Sequence, residues 1–480
     1  MIAQLSAVDW RVVMPEAILV AAALLVMIVD LLSRRSLRGQ LYLIGIVGCA
    51  ASFGALLPLY GAHVTSLFGA FVTDGFSWGF DALLLLTLAG ALAISAAAKA
   101  DDGGSPASYA ALMILCTVGG MVMAGAANLI GIFLGIEQLS LALYVLAGTG
   151  FPRRSSEEAA LKYVLLGSLA SGFLIYGSAL LYGATGTLRL ADMVAAAAAP
   201  SALFVVGLAL FLVGIAFKLA LSPFHVWTPD VYEGSPIAVT AFMAVAVKVA
   251  TFAVLARFVY TAIGHDSVAL VPLWAIAILS MVVGNVGAIR QRNLKRLLAF
   301  SSIAQAGYIV VALAGVTRGG LSVMLFYLTA YAFMNLGAFA LIVLVGSGDE
   351  AYANLDAYRG LFFRRPWVAA LMSLFFMSLA GIPATAGFMG KLFLLQQAVA
   401  AGPWGVAMAV ALVAGTLVSF YVYFKVIWEM LGRVEGGAPA ADGNGWVPWL
   451  TASVGALGTL ALGILPQMWS AIIAATMRTL

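Results

Sequence analysis

Glu137, Lys218, Lys248 and Lys391, with Lys425 nearer an edge, sit inside apolar stretches long enough to cross a bilayer. A charge in that setting costs roughly 2.5 to 3.5 kcal/mol on insertion scales unless it is paired or hydrated. Five such side chains in one chain point to a path for protons or ions. An ammonium in low dielectric gives up its proton more readily, and a nearby carboxylate opposes that loss. If Glu137 approaches Lys218, the lysine keeps its proton; if the two separate, the proton can pass to Lys248 or to water. A static ion pair locking two helices is the competing reading of Glu137 and Lys218. For Lys248 the competing reading is a hydrogen bond to a neighbouring carbonyl. Lys425 lies close to a helix end beside Glu429 at i+4, where it can snorkel or pair locally.

Further relay candidates are His225, Ser222 and Tyr144, with Lys425. His225 follows Lys218 by two turns on one face if the helix continues that far, and imidazole titrates near neutrality; it can equally cap a loop. Ser222 is placed to bond the helix or hold a water. Ser301 and Ser302 are expected to open a helix after the basic run RQRNLKR, whose arginines read as a helix start facing lipid.

These residues need a scaffold, and composition says which kind. The 480 residues are 64% hydrophobic and 9% charged, against roughly 25% charged in a soluble domain, so the chain is a polytopic membrane protein. Asp9, Arg11 and Glu16 precede the first apolar run, which is unlike a secretory signal, so that run is expected to remain as a helix. Cys49 and Cys116 lie in apolar runs with no CxxC or histidine partner, which argues for packing and against a metal, haem or disulfide. The net charge of +4 is spread over loops without a basic surface interleaved with aromatics, so nucleic-acid binding is excluded.

Spans of about 20 residues predict fourteen helices, near 13 to 32, 41 to 60, 76 to 98, 107 to 124, 127 to 148, 160 to 183, 201 to 222, 236 to 262, 270 to 289, 299 to 317, 321 to 346, 367 to 400, 403 to 430 and 447 to 475. Arg34, Arg35, Arg38, Lys99, Arg153, Arg154, Lys162, Arg290, Arg292, Lys295, Arg296, Arg359, Arg364, Arg365 and Arg433 fall on one side, and Arg11, Arg189, Arg257, Arg318 and Arg478 on the other. The positive-inside rule makes the first side cytoplasmic and puts both termini outside. Of the acids, only Glu137 is expected mid-span, the rest lying in loops or near helix ends. Gly167, Ser171 and Ser178 are expected to let helices approach closely.

Two spans are interrupted. Helix 7 reads FKLALSPFHVWTPDVYEGSP, where Pro223, Pro229 and Pro236 prevent regular helix, and helix 12 reads LAGIPATAGFMGKLFLL, broken at Pro383 and Gly387. Broken helices at matching positions of two halves suggest inverted five-helix repeats with an ion site at their interface. Lys218 with Lys391, and Lys248 with Lys425, follow the same pairing at similar but unequal offsets. The expected organisation is helices 1–3 over 1–106, a first repeat of helices 4–8 over 107–262, a second of helices 9–13 over 263–430, and helix 14 over 431–480. A cytoplasmic connection at 223 to 236 with an ordinary proline kink in helix 12 is the alternative.

GIFLGIEQLSLALYVLAG, FHVWTPDVYEGSPIAVTAFMAVAVKVA, RQRNLKRLLAFSSIAQAGY and GIPATAGFMGKLFLL resemble the antiporter-like membrane subunits of respiratory complex I, the bacterial NADH:quinone oxidoreductase. DVYEGSP is the most specific of them, and the similarity runs over essentially the whole chain. The resemblance implies fourteen helices in two inverted repeats, a bacterial inner-membrane location, neighbouring membrane subunits as partners, and one proton channel carried by Glu137, Lys218, Lys248 and Lys391. It implies no cofactor in this chain, with NADH, FMN, Fe–S clusters and quinone handled by other subunits. Lys391, where a relative has glutamate, and an end just after helix 14 fit the subunit N branch. Gln305 departs from the histidine of the SSIAH pattern, and glutamine cannot carry a proton. A stand-alone cation/proton antiporter of the same fold and a structural subunit without a channel stay open. No Gly-rich nucleotide fingerprint or cluster-binding cysteine set accompanies these motifs.

Overall fold

A computed structural model describes residues 9–33, 37–98, 105–150, 153–264, 270–346, 353–432 and 445–477. Arg34, Arg35, Lys99, Arg433 and Arg478, used above to set topology, lie outside them. In chain order come α1 (Trp10–Leu32), α2 (Arg38–Leu56), a hairpin of β1 (Val64–Ser66) and β2 (Phe71–Thr73), α3 (Gly75–Ala97), α4 (Pro106–Gly125), α5 (Leu129–Ala147), α6 (Arg154–Thr185) and α7 (Ala202–Lys218). After a short helix at Thr228–Gly234 follow α8 (Ile237–Phe258), α9 (Val271–Ala288), α10 (Leu294–Val310), α11 (Arg318–Gly346), α12a (Pro366–Ala380), α12b (Ala386–Val399), α13 (Gly402–Leu431), α14 (Trp446–Ile464) and α15 (Pro466–Thr476).

Among the described residues twelve helices are long and apolar enough to cross a membrane, and α7 and α12a are shorter apolar ones. Together they occupy the fourteen expected places. The two that fall short are the two with interrupted sequence, because each break ends the helix before a full crossing. A small antiparallel hairpin, with Val64 opposite Thr73, is the sheet structure among the described residues apart from isolated bridges, and the last expected helix divides at Leu465 where Pro466 starts α15.

Local chemistry sets the helix ends. Asp74 caps α3, its side chain accepting from the Ser77 amide while the Ser77 hydroxyl returns the bond, a reciprocal arrangement that satisfies two otherwise orphan donors. Asn128 caps α5 through the Gly131 amide at 2.6 Å, and Asn293 caps α10 through the amides of Lys295 and Arg296. That cap starts α10 at Leu294, so Ser301 and Ser302 are not its opening residues but buried mid-helix ones. Gly381, at φ 93°, ends α12a in the left-handed region open to glycine.

α8 is buried along its whole length, and α10 and α11 nearly so, so these three form the centre. Outer helices keep apolar side chains exposed, among them Leu165 and Leu169 on α6 and Val410 and Leu417 on α13, as a lipid-facing surface requires. Without a hydrophobic drive between spans, close helix contacts depend on small residues. A Cβ on Gly119 of α4 would stand 2.7 Å from the Leu139 nitrogen of α5, and one on Gly284 of α9 would stand 2.4 Å from the Ala304 nitrogen of α10. The α4–α5 and α9–α10 pairs thus share a glycine-seamed contact. Cys49 and Cys116 are buried and unbridged, as packing residues should be.

The breaks differ from expectation in detail. α7 stops at Lys218, and Ala220 takes φ 59°. Pro229 stands in the first turn of the Thr228–Gly234 helix, where a missing N–H costs nothing, and Pro236 precedes α8; these two start helices rather than prevent them. In helix 12 the break covers residues 381–385, and Gly387 lies inside α12b. Its missing Cβ matters for packing, since one would fall 1.8 Å from the Ser378 carbonyl oxygen.

Candidate functional site

The three mid-span lysines are buried at 2–5% exposure, yet neutral oxygens hold them. Lys218, the last residue of α7, donates through Nζ to Ser140 Oγ at 2.6 Å and Tyr144 OH at 3.3 Å, both on α5. Its ammonium also lies 5.4 Å from the Tyr144 ring centroid, within range of a cation–π attraction. Tyr144 can occupy that place because Gly167 of α6 leaves room, a Cβ there falling 2.0 Å from the phenol oxygen. Glu137 stands one turn before Ser140 on α5 but pairs elsewhere, accepting from Ser171 Oγ on α6. Among the described residues no Glu137–Lys218 ion pair forms, so this conformation corresponds to the separated arrangement of the two and not to a static pair locking helices. Ser171, expected to serve packing, is the partner of the carboxylate.

Lys248 donates from the middle of α8 to the Leu219 carbonyl at 3.1 Å, the carbonyl next in sequence to Lys218. That bond exists because the break frees carbonyls at the end of α7 that a continuing helix would consume. The break therefore joins the two lysines. Glu137 is tied to α6, Lys218 to α5, and Lys248 to the residue after Lys218, all within one group of helices.

Lys391 sits on α12b, beyond its break, whereas Lys218 sits before the break in helix 7, so the two are not at equivalent points of their helices. It donates to the Leu379 and Ala380 carbonyls at 3.0 and 2.9 Å, capping the end of α12a, and lies 5.1 Å from the Tyr308 ring centroid. Gln305 Nε2 shares the Leu379 carbonyl at 3.5 Å and also reaches Tyr423 OH at 3.5 Å. Tyr327 OH donates to Gln305 Oε1, and Ser301 bonds Tyr423 OH at 2.5 Å. Gln305 thus joins hydroxyls as donor and acceptor, a bridge in which it need not be ionised. Lys391 has no direct contact with Lys248.

Three relay candidates fall elsewhere. The helical face argued for His225 does not exist, because α7 ends at Lys218; burial holds the His225 imidazole below its ordinary value, and its Nδ1 lacks a well-placed partner. Ser222 takes part through its backbone, its amide donating to Ser280 Oγ at 2.8 Å. Lys425 does not pair with Glu429, which faces Arg359 at 3.6 Å; Lys425 donates to the Ile289 and Gln291 carbonyls past the end of α9 at 3.3 and 3.0 Å.

Residues 126–418 match the profile of the NADH:quinone oxidoreductase/Mrp antiporter transmembrane family. The chain belongs to this family. It is 39% identical over 473 residues to NADH-quinone oxidoreductase subunit N of Trichlorobacter lovleyi, covering 96% of this chain and 95% of that one. It is 44% identical over 371 residues to subunit N of Gemmatimonas aurantiaca, covering 76% and 71%. A chain of respiratory complex I from Thermus thermophilus with bound aureothin superimposes with a TM-score of 0.82 at 34% identity, covering 96% of this chain and 99% of that one. A chain of the Mrp complex from Dietzia shares the fold at TM-score 0.82 and 23% identity, covering 98% and 97%.

Several charged residues of this family member escaped the sequence reading. Lys295 reads as a loop charge inside RQRNLKR, but it is 1% exposed and donates to the Ser235 carbonyl at 2.7 Å. Its neighbour Arg296 does not face lipid: it reaches Asp230 at 2.7 Å and Glu233 at 2.9 Å. Lys162 joins Asp230 at 2.7 Å. The DVYEGSP segment thus ties α6 to α10 through ion pairs, and its i, i+3 acids were the available clue. Burial works to raise the Asp230 carboxyl, but Lys162 and Arg296 hold it below the usual carboxylate range.

The acids are also less neatly sorted than expected. Glu16 on α1 and Asp81 on α3 are buried inside their helices, and Asp74 is buried against Arg257, with guanidinium–carboxylate distances of 2.9 and 3.0 Å. Each lies within about two turns of a helix start, which made it look like an end residue. None of the three acids falls within residues 126–418 matched to the family.

Proposed function

We propose that the chain is the proton-translocating membrane subunit of an NADH:quinone oxidoreductase, carrying protons through Glu137, Lys218, Lys248 and Lys391 while other subunits move electrons from NADH to quinone. The observation that carries this reading is that, among the described residues, the direct hydrogen-bond acceptors of the three buried ammonium groups are hydroxyls and carbonyls, while Glu137 near Lys218 is bonded to Ser171. A buried lysine locked to a carboxylate cannot release its proton without leaving a buried charge. One held by neutral acceptors can, because both its forms have a partner within reach. Tyr144 completes the Lys218 site, and Gln305 with Tyr327 and Tyr423 continues hydrogen bonding toward Lys391.

In the same reading the chain crosses a bacterial inner membrane fourteen times with both termini periplasmic, and it sits among other membrane subunits of the complex. Helices 4–8 over 107–262 and 9–13 over 263–430 form two inverted repeats, favoured by the matching glycine seams and the two broken helices. Helices 1–3 over 1–106 and helix 14 over 431–480 flank them.

The test is NADH-driven acidification of inverted vesicles carrying the assembled enzyme with Lys218→Met or Glu137→Gln. Pumping is expected to fall with assembly retained; unchanged pumping with normal assembly would contradict the path. A stand-alone cation/proton antiporter, which the Mrp-like fold keeps in play, is expected to purify alone and exchange cations in liposomes.

A further inference from the structure

The end of α12a leaves carbonyls that no later helical N–H can reach, as every helix end does. Two of them meet Lys391, the Leu379 carbonyl at 3.0 Å and the Ala380 carbonyl at 2.9 Å. The lysine stem lies there because Gly381 leaves room, a Cβ on it falling 3.1 Å from Lys391 Cδ. The Leu379 carbonyl accepts a second time, from Gln305 Nε2 on α10 at 3.5 Å. A carbonyl oxygen has two lone pairs, so both donors fit at once. They differ in kind, because the ammonium bond depends on the lysine proton and the amide bond does not. Helix 7 is arranged otherwise: Lys248 takes the Leu219 carbonyl and Trp227 Nε1 takes the Phe217 carbonyl at 3.1 Å, so charged and neutral donors go to separate oxygens.

The Gln305 amide is held in one orientation. Its two N–H groups go to the Leu379 carbonyl and to Tyr423 OH, while Oε1 accepts from Tyr327 OH. Reversed, Oε1 would face the Leu379 carbonyl, acceptor to acceptor. Its partners are themselves fixed. Tyr423 is bonded to Ser301, one turn before Gln305 on α10, and its ring stacks on Phe376 of α12a with centroids 5.9 Å apart. Tyr327 packs on Gly390, where a Cβ would fall 2.5 Å from the ring, and Gly390 is the residue before Lys391. Among the described residues no charged side chain acts on Lys391. The titratable groups turned to this site are the phenols of Tyr308 on α10, Tyr327 on α11 and Tyr423 on α13, and α14, which also packs on α12b, brings none.

We propose that Gln305 is a positioning residue for Lys391, its amide keeping the Leu379 carbonyl bonded while the lysine is neutral, so that proton release frees the end of α12a at the Ala380 carbonyl only. Gln305 itself exchanges no proton. A neutral amine has two N–H groups and no charge, and bonds without charge assistance are roughly half as strong. Without the amide, two buried helix-end carbonyls would depend on that weakened donor. Leaving a buried acceptor poorly bonded is costly, so removal of the amide opposes loss of the lysine proton. The proposal rests on the lysine-borne path proposed above.

The test is the pH profile of protons pumped per NADH oxidised, read in inverted vesicles carrying the assembled enzyme. Gln305→Met keeps the volume and removes the amide. Its half-maximal point is expected to move up by about one pH unit, the shift that a tenfold change in proton affinity makes. Gln305→His keeps a ring N–H for the Leu379 carbonyl and is expected to restore the unsubstituted profile above the imidazole's own range near pH 6.5. Gln305→Asn is one methylene too short to reach that carbonyl; it should shift the profile as methionine does, and serves if Gln305→Met does not assemble. An unshifted profile in these variants while Lys391→Met is defective overturns the proposal and spares the lysine path. A loss of pumping equal at every pH also overturns it, since that is the mark of a packing role. Normal pumping in Lys391→Met removes that lysine from the path, and the role of Gln305 with it.

Discussion

The two broken helices hold their lysines in different ways. Lys218 closes α7 and donates to side-chain hydroxyls, with Glu137 one turn from its acceptor. Lys391 lies beyond the break in helix 12 and donates to backbone carbonyls at the end of α12a. Hydroxyls can reorient and donate back to a neutral amine, whereas carbonyls only accept. In the proposed path the first site would therefore serve exchange within a layer of side chains, and the second would tie proton occupancy to the end of a helix. On the proposed path, loss of the Lys391 proton would weaken the cap on α12a, which would couple protonation to backbone position in that half.

The largest expected effect is on the first site. Lys218→Met leaves Ser140 and Tyr144 without their donor, and NADH-driven pumping by the assembled enzyme is expected to fall about 100-fold, read as vesicle acidification. At the second site, Lys391→Met is expected to impair pumping and also to destabilise the chain by about 1 kcal/mol through the lost helix-end cation. Lys391→Arg should keep the stability and not the pumping, measured as thermal unfolding in detergent beside vesicle acidification. Equal stability of the methionine and arginine variants would erase the contrast between the halves.

A smaller effect is expected for Ser140→Ala, which removes one acceptor from Lys218 while Tyr144 remains. Pumping should drop about tenfold, in line with the low end of about 1.5 to 3 kcal/mol for one hydrogen bond to a charged group, and Tyr144→Phe should add to it in a double-variant cycle. Asp230→Asn touches neither lysine site. It should cost about 1 kcal/mol of stability, discounted for its partly exposed partners, and leave pumping near normal. The Asp230 carboxyl is held low when folded, so its contribution is present above the ordinary carboxylate value and disappears as pH falls through the lowered one. The stability gap between Asp230→Asn and the unsubstituted chain should therefore close on acidification.

The buried lysines were legible where one ionisable residue interrupts a long apolar run, as with Lys218, Lys248 and Lys391, because bilayer energetics make that pattern costly. The breaks were legible too, since proline and glycine act locally. Partners were not. Whether Lys218 meets Glu137 or Ser140 depends on how α5 and α7 are rotated against each other, and both lie on the same helix one turn apart. Asp81 and Glu16 were hidden by nearness to helix starts, where a carboxylate is ordinarily solvated or capping. Lys295 was hidden by basic neighbours, among which Arg296 shows ion pairs of its own.

The most direct measurement uses Lys248→Arg. Arginine keeps a donor for the Leu219 carbonyl and a positive charge at the centre of α8, but it does not deprotonate in proteins. In inverted vesicles with the assembled enzyme, acidification driven by NADH is expected to be lost in Lys248→Arg. Acidification at the unsubstituted level would contradict proton carriage by Lys248 and leave it a fixed structural charge.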